Sequence, residues 1–420
     1  MDDARDMPPP SRAERADARA YPRDLAKRVR ALWPPDGMAL PTGLESVLEA
    51  AYHASFLREE ERPVTFRLLV APPSALEDGG GPPDALLPLP FAELRGFDEH
   101  ELRRLSQAAK YHRALVAVCE EEGRLVTWGV VQSGPRWVQS ADGARAKEPP
   151  MPRALVVRVA RPGQVAVSCG SQLVAELRGG ALTDFMLDVF ASRWLPERFA
   201  PYRAEVATAH RASGGTFDDA SAGDVTRYIA QKMLKRIVST MRGAHHGGTV
   251  LLVPPDCSAD RFLRTKYAFA DGDARRHFRR LTLTILRARE ANAGADARSL
   301  ASSMSELEEA LYEIAHLVAA LADVDGAVVM TKRFELLGFG AEIAGELPDV
   351  KEVRRALDVE GEAWDLERVD RVGTRHRSAF RLCAAIPGAV AVVVSQDTSV
   401  RFVTFHGGAV TMWDHGAGDI

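Results

Sequence analysis

Residues 311–330 read LYEIAHLVAALADVDGAVVM. Leu311, Ile314, Val318 and Leu321, with Leu307 just upstream, recur at helical spacing and form one apolar stripe. Ser305 and Glu308 make a capping pair ahead of it, so the spacing predicts a helix that starts there. Asp325 and Gly326 stop that helix, and residues 328–330 are an apolar run of the kind that forms a buried strand. A helix delivered straight into a buried strand is the unit from which α/β folds are built.

The alternation continues on both sides of this stretch. Val225, Ile229, Met233, Ile237 and Met241 recur every four residues, so a helix is expected from Asp224 onward. Residues 249–253 (TVLLV) read as a strand ended by Pro254-Pro255, and a further helix is expected over about 274–291. Downstream, residues 389–394 read as a strand, and 400–405 and 409–413 as a hairpin around Gly407-Gly408. Residues 223–415 therefore read as one α/β domain, a mixed sheet flanked by helices.

A second α/β domain is expected over residues 40–185. Helical character over 44–57 leads into the strand pattern VTFRLLV at 64–70. The Gly- and Pro-dense EDGGGPPDALLPLP (77–90) reads as a loop. Asp98 and Glu101 form a capping box for a helix over Leu102 and Leu105. Short apolar runs at 115–119, 125–131, 154–159, 164–168 and 173–177, joined by tight turns, imply an antiparallel meander with helices on one face. Residues 1–39, charged and Pro-rich at their start, are expected to be disordered. Residues 186–222, which include ASGGTFDDASAG (212–223), are expected to be a linker.

Composition sets the outer bounds. The 420 residues carry 54 basic and 58 acidic side chains, a formal net charge of −4, with 46% apolar residues. That is enough chain for two cores and too apolar for bulk disorder. No overall positive field exists to gather nucleic acid, so a nucleic-acid reading is disfavoured. The four cysteines (119, 169, 257, 383) show neither zinc nor disulfide spacing. No apolar run reaches the roughly 18 residues needed to span a bilayer, and a cytoplasmic protein is expected. His53, His100 and His112 are scattered, and His245-His246 reads as a loop. Trp33, Trp128 and Trp137 read as core residues.

Two segments can carry chemistry. In Asp325-Gly326-Ala327 a carboxylate stands beside a glycine at a sheet edge, where it can hold a hard cation while backbone approaches a ligand; a plain turn has the same composition. In Gly373-Thr374-Arg375-His376-Arg377-Ser378-Ala379 a helix is expected to begin at about Arg377. Gly373 and Thr374 would then precede a helix N-terminus, where phosphate is favoured. The two arginines add bidentate donors; a solvated basic turn is the alternative.

Taken together, DGA, the helix before it, GTRHR and a strand ending in Val394-Ser395-Gln396 resemble the DisA-type diadenylate cyclase domain, over about residues 249–413. The resemblance implies condensation of two ATP into cyclic di-AMP with release of pyrophosphate, in a site completed by two copies of the chain face to face. It implies that Asp325 holds Mg²⁺ or Mn²⁺ and helps activate the attacking hydroxyl. Gly326 and Ala327 would line the nucleotide site, with Leu337 marking an adenine pocket over 337–343. Gly373, Thr374, Arg375, His376, Arg377 and Ser378 would serve the phosphates, and Ser395 and Gln396 their terminal end. Two departures stand out. The spacing from Asp325 to Gly373 is longer than in the family, through a charged insertion at about 348–371. The residue after Ser395 is Gln396, where the family often has an acid. These departures favour the alternative of a nucleotide-binding signalling protein without turnover. The N-terminal domain resembles, more loosely, the DACNV-like sensor modules fused ahead of bacterial diadenylate cyclases, and it would receive an unknown small-molecule or protein signal.

Overall fold

The computed structural model describes residues 19–76, 80–82, 85–134, 151–183, 187–244, 247–257, 259–291, 297–396 and 399–416. The chain divides into two compact units, the first reaching Phe185 and the second running Met186–Asp419.

In the first unit, alternation along the strands sorts side chains onto two faces of one sheet. Its strands are β1 (Phe66–Val70), β2 (Leu87–Gly96), β3 (Ala114–Glu121), β4 (Arg124–Gln132), β5 (Leu155–Arg161), β6 (Gln164–Cys169), β7 (Gln172–Arg178) and β8 (Ala181–Thr183). They lie in the order β8-β7-β6-β5-β1-β3-β4-β2. Phe66, Leu68, Val116, Val157 and Val167 bury one face under three helices, α1 (Pro22–Leu32), α2 (Leu44–Ala54) and α3 (Glu99–Ala108). The Asp98 cap forms as expected, its carboxylate accepting from the Glu101 N–H at 2.7 Å. His53, His100 and His112 are exposed, and Trp128 is buried with its indole N–H donating to the Ala71 carbonyl. Trp33 is half-buried, and Trp137 lies outside the described residues.

Three expectations for this unit change. The sheet is not a pure meander, because β1 and β3 pair in parallel around the helix α3 crossover. The Pro-rich stretch expected as loop ends in strand: Leu87–Gly96 pairs with β4 at the sheet edge, where Pro88 and Pro90 need donate no ladder hydrogen bond on their free side. Part of the segment expected to be disordered is α1, whose Leu25, Ala26 and Val29 are fully buried. Residues 1–18 lie outside the described residues.

The second unit has the strands β9 (Gly248–Val253), β10 (Leu263–Ala268), β11 (Ala327–Thr331), β12 (Leu336–Ile343), β13 (Glu352–Ala356), β14 (Trp364–Arg368), β15 (Val390–Val394), β16 (Val400–His406) and β17 (Ala409–His415). Their order is β10-β12-β11-β9-β15-β16-β17-β13-β14. β9–β11 and β13–β17 are parallel pairs and the rest antiparallel, so the sheet is mixed as expected. One face packs on α4 (Ala200–Ala212), α5 (Asp219–Ala244), α6 (His277–Ala291) and α7 (Ala297–Leu321). The other packs on α8 (Thr374–Ala385). Of the predicted stripes, Ile229, Met233, Ile237 and Met241 on α5 and Leu311 and Val318 on α7 are buried, and Val225, Leu307, Ile314 and Leu321 pack half-buried beside them.

Residues 186–222 are not a linker. Val189–Ala191 and Trp194–Glu197 are short helical turns, and α4 sends Tyr202 and Val206 into the core. Phe199 stacks on Phe334 at 5.4 Å, and Trp194 on Trp413 at 4.4 Å. Glu290 accepts hydrogen bonds from the backbone of Thr216 and Phe217, so even the small polar stretch before α5 is tied down. Helix α7 starts at Ala297, eight residues before Ser305, and α5 starts at Asp219. The charged insertion has regular structure. It forms β13 and β14, which extend the sheet edge beyond β17.

Candidate functional site

The register fixes which segments share one end of the second sheet. Thr249 pairs with Ala327, Gly248 with Val394, and Val394 with Val400. Asp325-Gly326, Gly247-Gly248 and Ser395-Gln396 therefore stand side by side at the start of β11, the start of β9 and the end of β15. Ala341 pairs with Ala327, which brings Gly340 to the same end. Gly326 has φ +109°, and a β-carbon there would stand 2.6 Å from the carbonyl carbon of Gly340. Only glycine allows the two strands to close at this point. Gly247 is packed likewise, against the backbone of Ser395 and Gln396. The Ser395 N–H donates to the Ser399 carbonyl at 2.9 Å, closing the turn that presents Ser395.

Helix α8 packs on the other face of the sheet, against β12, β15, β16 and β17. Four residues separate Ala385 from Val390, so the helix folds back over β15. Its C-terminal half is fixed at the far end, where the Cys383 thiol meets the Val403 carbonyl and the Thr404 hydroxyl donates to Ala389. Its twelve residues span about 18 Å at about 1.5 Å each. The helix begins at Thr374, three residues earlier than expected, with Gly373 as its N-cap. Thr374, Arg375 and His376 thus lie in the first turn itself. No side chain caps this turn, and the first helical bond runs from the Arg377 N–H to the Gly373 carbonyl. The N–H groups of residues 374–376 have no helical acceptor, and the positive end of the helix dipole lies at this turn.

The predicted residues divide by exposure. Asp325, Gly326, Gly373, Thr374, Arg377 and Gln396 are exposed, and Arg375, Ser378 and Ser395 half-buried. Ala327 and His376 are buried. His376 turns toward the sheet, its ring 6.4 Å from Phe380, so it braces the first turn while its neighbours face outward. Ser378 sits one turn further along the helix. Leu337 stands apart from the Asp325 end. It lies near the other end of β12, beside Leu336, which pairs with Met330. The four-residue offset from Ala341 is about 13 Å of strand. Residues 340–343 are the part of the expected adenine segment that reaches the Asp325 end.

Sequence reasoning missed three contributors. Gly340 was signalled only by the G-x-G at 338–340. Gly247 carries no local signal beyond its place just ahead of the β9 run. The third is a charge ladder at the same sheet end: Arg401 and Arg355 bond the Asp414 carboxylate at 2.7 and 2.6 Å, and Glu367 lies 4.0 Å from Arg355. Burial pushes the Asp414 carboxyl up, but the two guanidiniums outweigh it and hold the group below the usual carboxylate range.

Among the described residues no three His, Cys, Asp or Glu side chains gather as a cation cage. One exposed carboxylate beside open backbone still suits Mg²⁺ or Mn²⁺, which commonly take one or two carboxylates and fill the remaining positions with substrate phosphates and water. Asp325 fits such a cation only when a phosphate-bearing ligand arrives with it. Among the described residues no helix is long and apolar enough to cross a membrane.

Residues 37–132 match the family described as "Probable sensor domain DACNV", the sensor domain of diadenylate cyclases. The match lies within the first unit and ends with β4. No curated protein matches the chain at a significant level. Among solved structures, a hypothetical membrane spanning protein from Bacillus cereus is similar over 52% of this chain and 92% of its own, at 14% identity and a TM-score of 0.24. At that score nothing about fold or function transfers.

Proposed function

We propose that the second unit is a diadenylate cyclase, controlled by the sensor-type domain of the first. The observation that carries this reading is the sheet end shared by Asp325-Gly326 and Ser395, together with the first turn of α8, which no side chain caps. A nucleotide triphosphate needs both halves of that arrangement. The N–H groups of residues 374–376, with Arg375 and Arg377, receive phosphate oxygens. Asp325 would hold the divalent cation, which neutralises charge on the reacting phosphate when bound. In the reaction, the 3′-hydroxyl of each ATP attacks the α-phosphorus of the other. The bond to each β-phosphate breaks, and cyclic di-AMP and two pyrophosphates form. The chain's own part is to position the nucleotides and stabilise the charge, with Asp325 drawing off the hydroxyl proton. Because each hydroxyl must meet the other copy's nucleotide, two copies of the chain complete the site.

Mass spectrometry after incubation with ATP and Mn²⁺ tests this. Cyclic di-AMP is expected from the wild type. Asp325→Ala is expected to lose at least about 100-fold in rate with unchanged circular dichroism, as removal of a principal charge-stabilising group does.

Gln396 favours a second reading, in which the unit binds nucleotide and signals without turnover. Tight ATP binding by calorimetry, with ATP intact after long incubation under varied metals, would select it.

A further inference from the structure

The end of the second sheet opposite Asp325 holds a group of side chains that the proposed chemistry does not use. Strands β9 and β11 run parallel with Val253 beside Thr331, so their carboxyl ends stand together there. The next residue is Lys332, whose backbone N–H donates to the Val253 carbonyl at 2.8 Å. The turn around it is tightly held. The Thr331 hydroxyl accepts from the Arg333 and Glu335 N–H groups at 3.1 and 3.2 Å, and the Phe334 ring packs against Phe199, Tyr202 and Phe278. Lys332 therefore leaves a rigid base, and it is half-buried.

Its surroundings do not suit an ammonium. The titratable groups that act on it are Arg198, Cys257 and Cys383. Arg198, in the turn ahead of α4, is half-buried and donates to the Phe405 carbonyl near the end of β16. Cys257, in the loop after β9, is half-buried, and Cys383 on α8 is buried. The carboxylates of this sheet end serve other groups. Glu205 on α4 holds Arg333 through two bonds of 2.8 Å, Asp256 acts on the same guanidinium, and Glu335 lies 3.8 Å from Arg276. Among the described residues no carboxylate makes an ion pair with Lys332. Burial pulls the Lys332 amine down to about 8; Arg198 adds to the effect, and the two thiols oppose it. An amine desolvated beside a second cation is one form of activated lysine nucleophile.

We propose that Lys332 is a site of covalent acylation by an acyl phosphate, whose anionic end Arg198 draws in. The neutral Nζ attacks the acyl carbonyl carbon. The bond from that carbon to the phosphate oxygen breaks, and the phosphate leaves with a proton from the nitrogen, so an amide and inorganic phosphate form. The amide carries no charge, and burial beside Arg198 favours it over the ammonium. The inference is independent of whether the second unit turns over nucleotide.

Peptide-level mass spectrometry of the full chain treated with acetyl phosphate tests it. The references are Lys27, Lys110 and Lys351, all exposed. At pH 7.5 Lys332 is expected to acylate at least about fivefold faster than each, because far more of it is neutral amine there. Its rate is expected to level off above about pH 8, while the reference rates climb toward pH 10. Arg198→Met is expected to slow Lys332 at pH 7.5 by at least about twofold and to move its plateau to higher pH, with the references unchanged. With an uncharged acyl ester as donor the Lys332 excess is expected to shrink, because Arg198 then has no anion to hold. A Lys332 rate no greater than the references, or a pH profile parallel to theirs, would overturn the proposal in the wild type alone. So would an unchanged profile in Arg198→Met, or an excess as large with the uncharged ester as with acetyl phosphate.

Discussion

Gly326 shows how much of the site rests on single atoms. At φ +109° an alanine is strained by its own backbone, and its β-carbon would overlap Gly340 on the neighbouring strand. Gly326→Ala is expected to cost about 2 kcal/mol in urea unfolding, the strain of a side chain at such a φ. It is also expected to weaken ATP binding, because β11 and β12 must part at the nucleotide end. His415 makes a different case, at the end of β17. The Val189 N–H donates to its Nδ1 at 3.2 Å, and Phe190 and Phe402 enclose the ring edge-on. Burial pushes His415 down to about 4, and the nearby Asp188 only partly offsets it. Between that value and the unfolded value near 6.5, the unfolded chain binds the extra proton. Stability from the neutral ring is therefore complete above about pH 6.5 and declines as pH falls toward 4, by at most about 1.4 kcal/mol per pH unit. Unfolding curves from pH 7 to 4 are expected to show this slope, and His415→Phe to flatten it.

Among the elements, the β13–β14 hairpin carries the clearest structural lesson. Its strands read EVRRA and WDLER, and such charge-rich runs look like solvent loop in a sequence scan. They are strands because an edge needs few apolar residues: Val353 and Ala356 supply the core contact, and Arg355 joins the ladder Glu367–Arg355–Asp414–Arg401. Asp414→Asn removes the one carboxylate that both arginines share. At pH 7 it is expected to cost about 2 kcal/mol, below the range for a fully buried pair because the ladder is partly exposed. The measurement is urea unfolding, and Glu367→Gln, at the ladder's outer end, is expected to cost much less. The strand β2 escaped reading for the same reason, its prolines being tolerable only at an edge. The interior elements were legible because apolar periodicity is a local signal. The stripes of α5 and α7 and the runs of β9, β11 and β15 each declare themselves within a dozen residues. The start of α8 was misplaced by three residues because Gly373 is an N-cap without a capping side chain. The distance of Leu337 from the Asp325 end was not legible because the direction of β12 across the sheet is set by pairing, which no local pattern records. Asp325, Thr374, Arg375 and Ser395 were legible through the motif resemblance, and the sheet end shared by Asp325 and Ser395 follows from the register.

At the scale of the whole chain, the question is where each folding unit begins. Composition placed a linker over 186–222, since small polar residues there carry no periodic signal. The packing places the boundary near Met186. Val189, Phe190, Trp194, Leu195, Phe199, Tyr202 and Val206 all enter the core of the second unit. Each such side chain contributes roughly 2 kcal/mol on burial, so their sum is comparable with the whole stability of a typical domain. Phe199, Tyr202 and Phe278 also surround Phe334, which sits at φ +58° in the turn between β11 and β12. Removing α4 would thus loosen the β11–β12 turn as well as the helical layer. Two fragments separate the alternatives. Residues 187–420 are expected to unfold in one cooperative transition. Residues 223–420, the domain as composition would cut it, are expected to lose that transition and to bind hydrophobic dye. Calorimetry with dye fluorescence reads both. Equal cooperativity in the two fragments would show that α4 only decorates the sheet, whereas its loss in the shorter one makes α4 part of the unit's core.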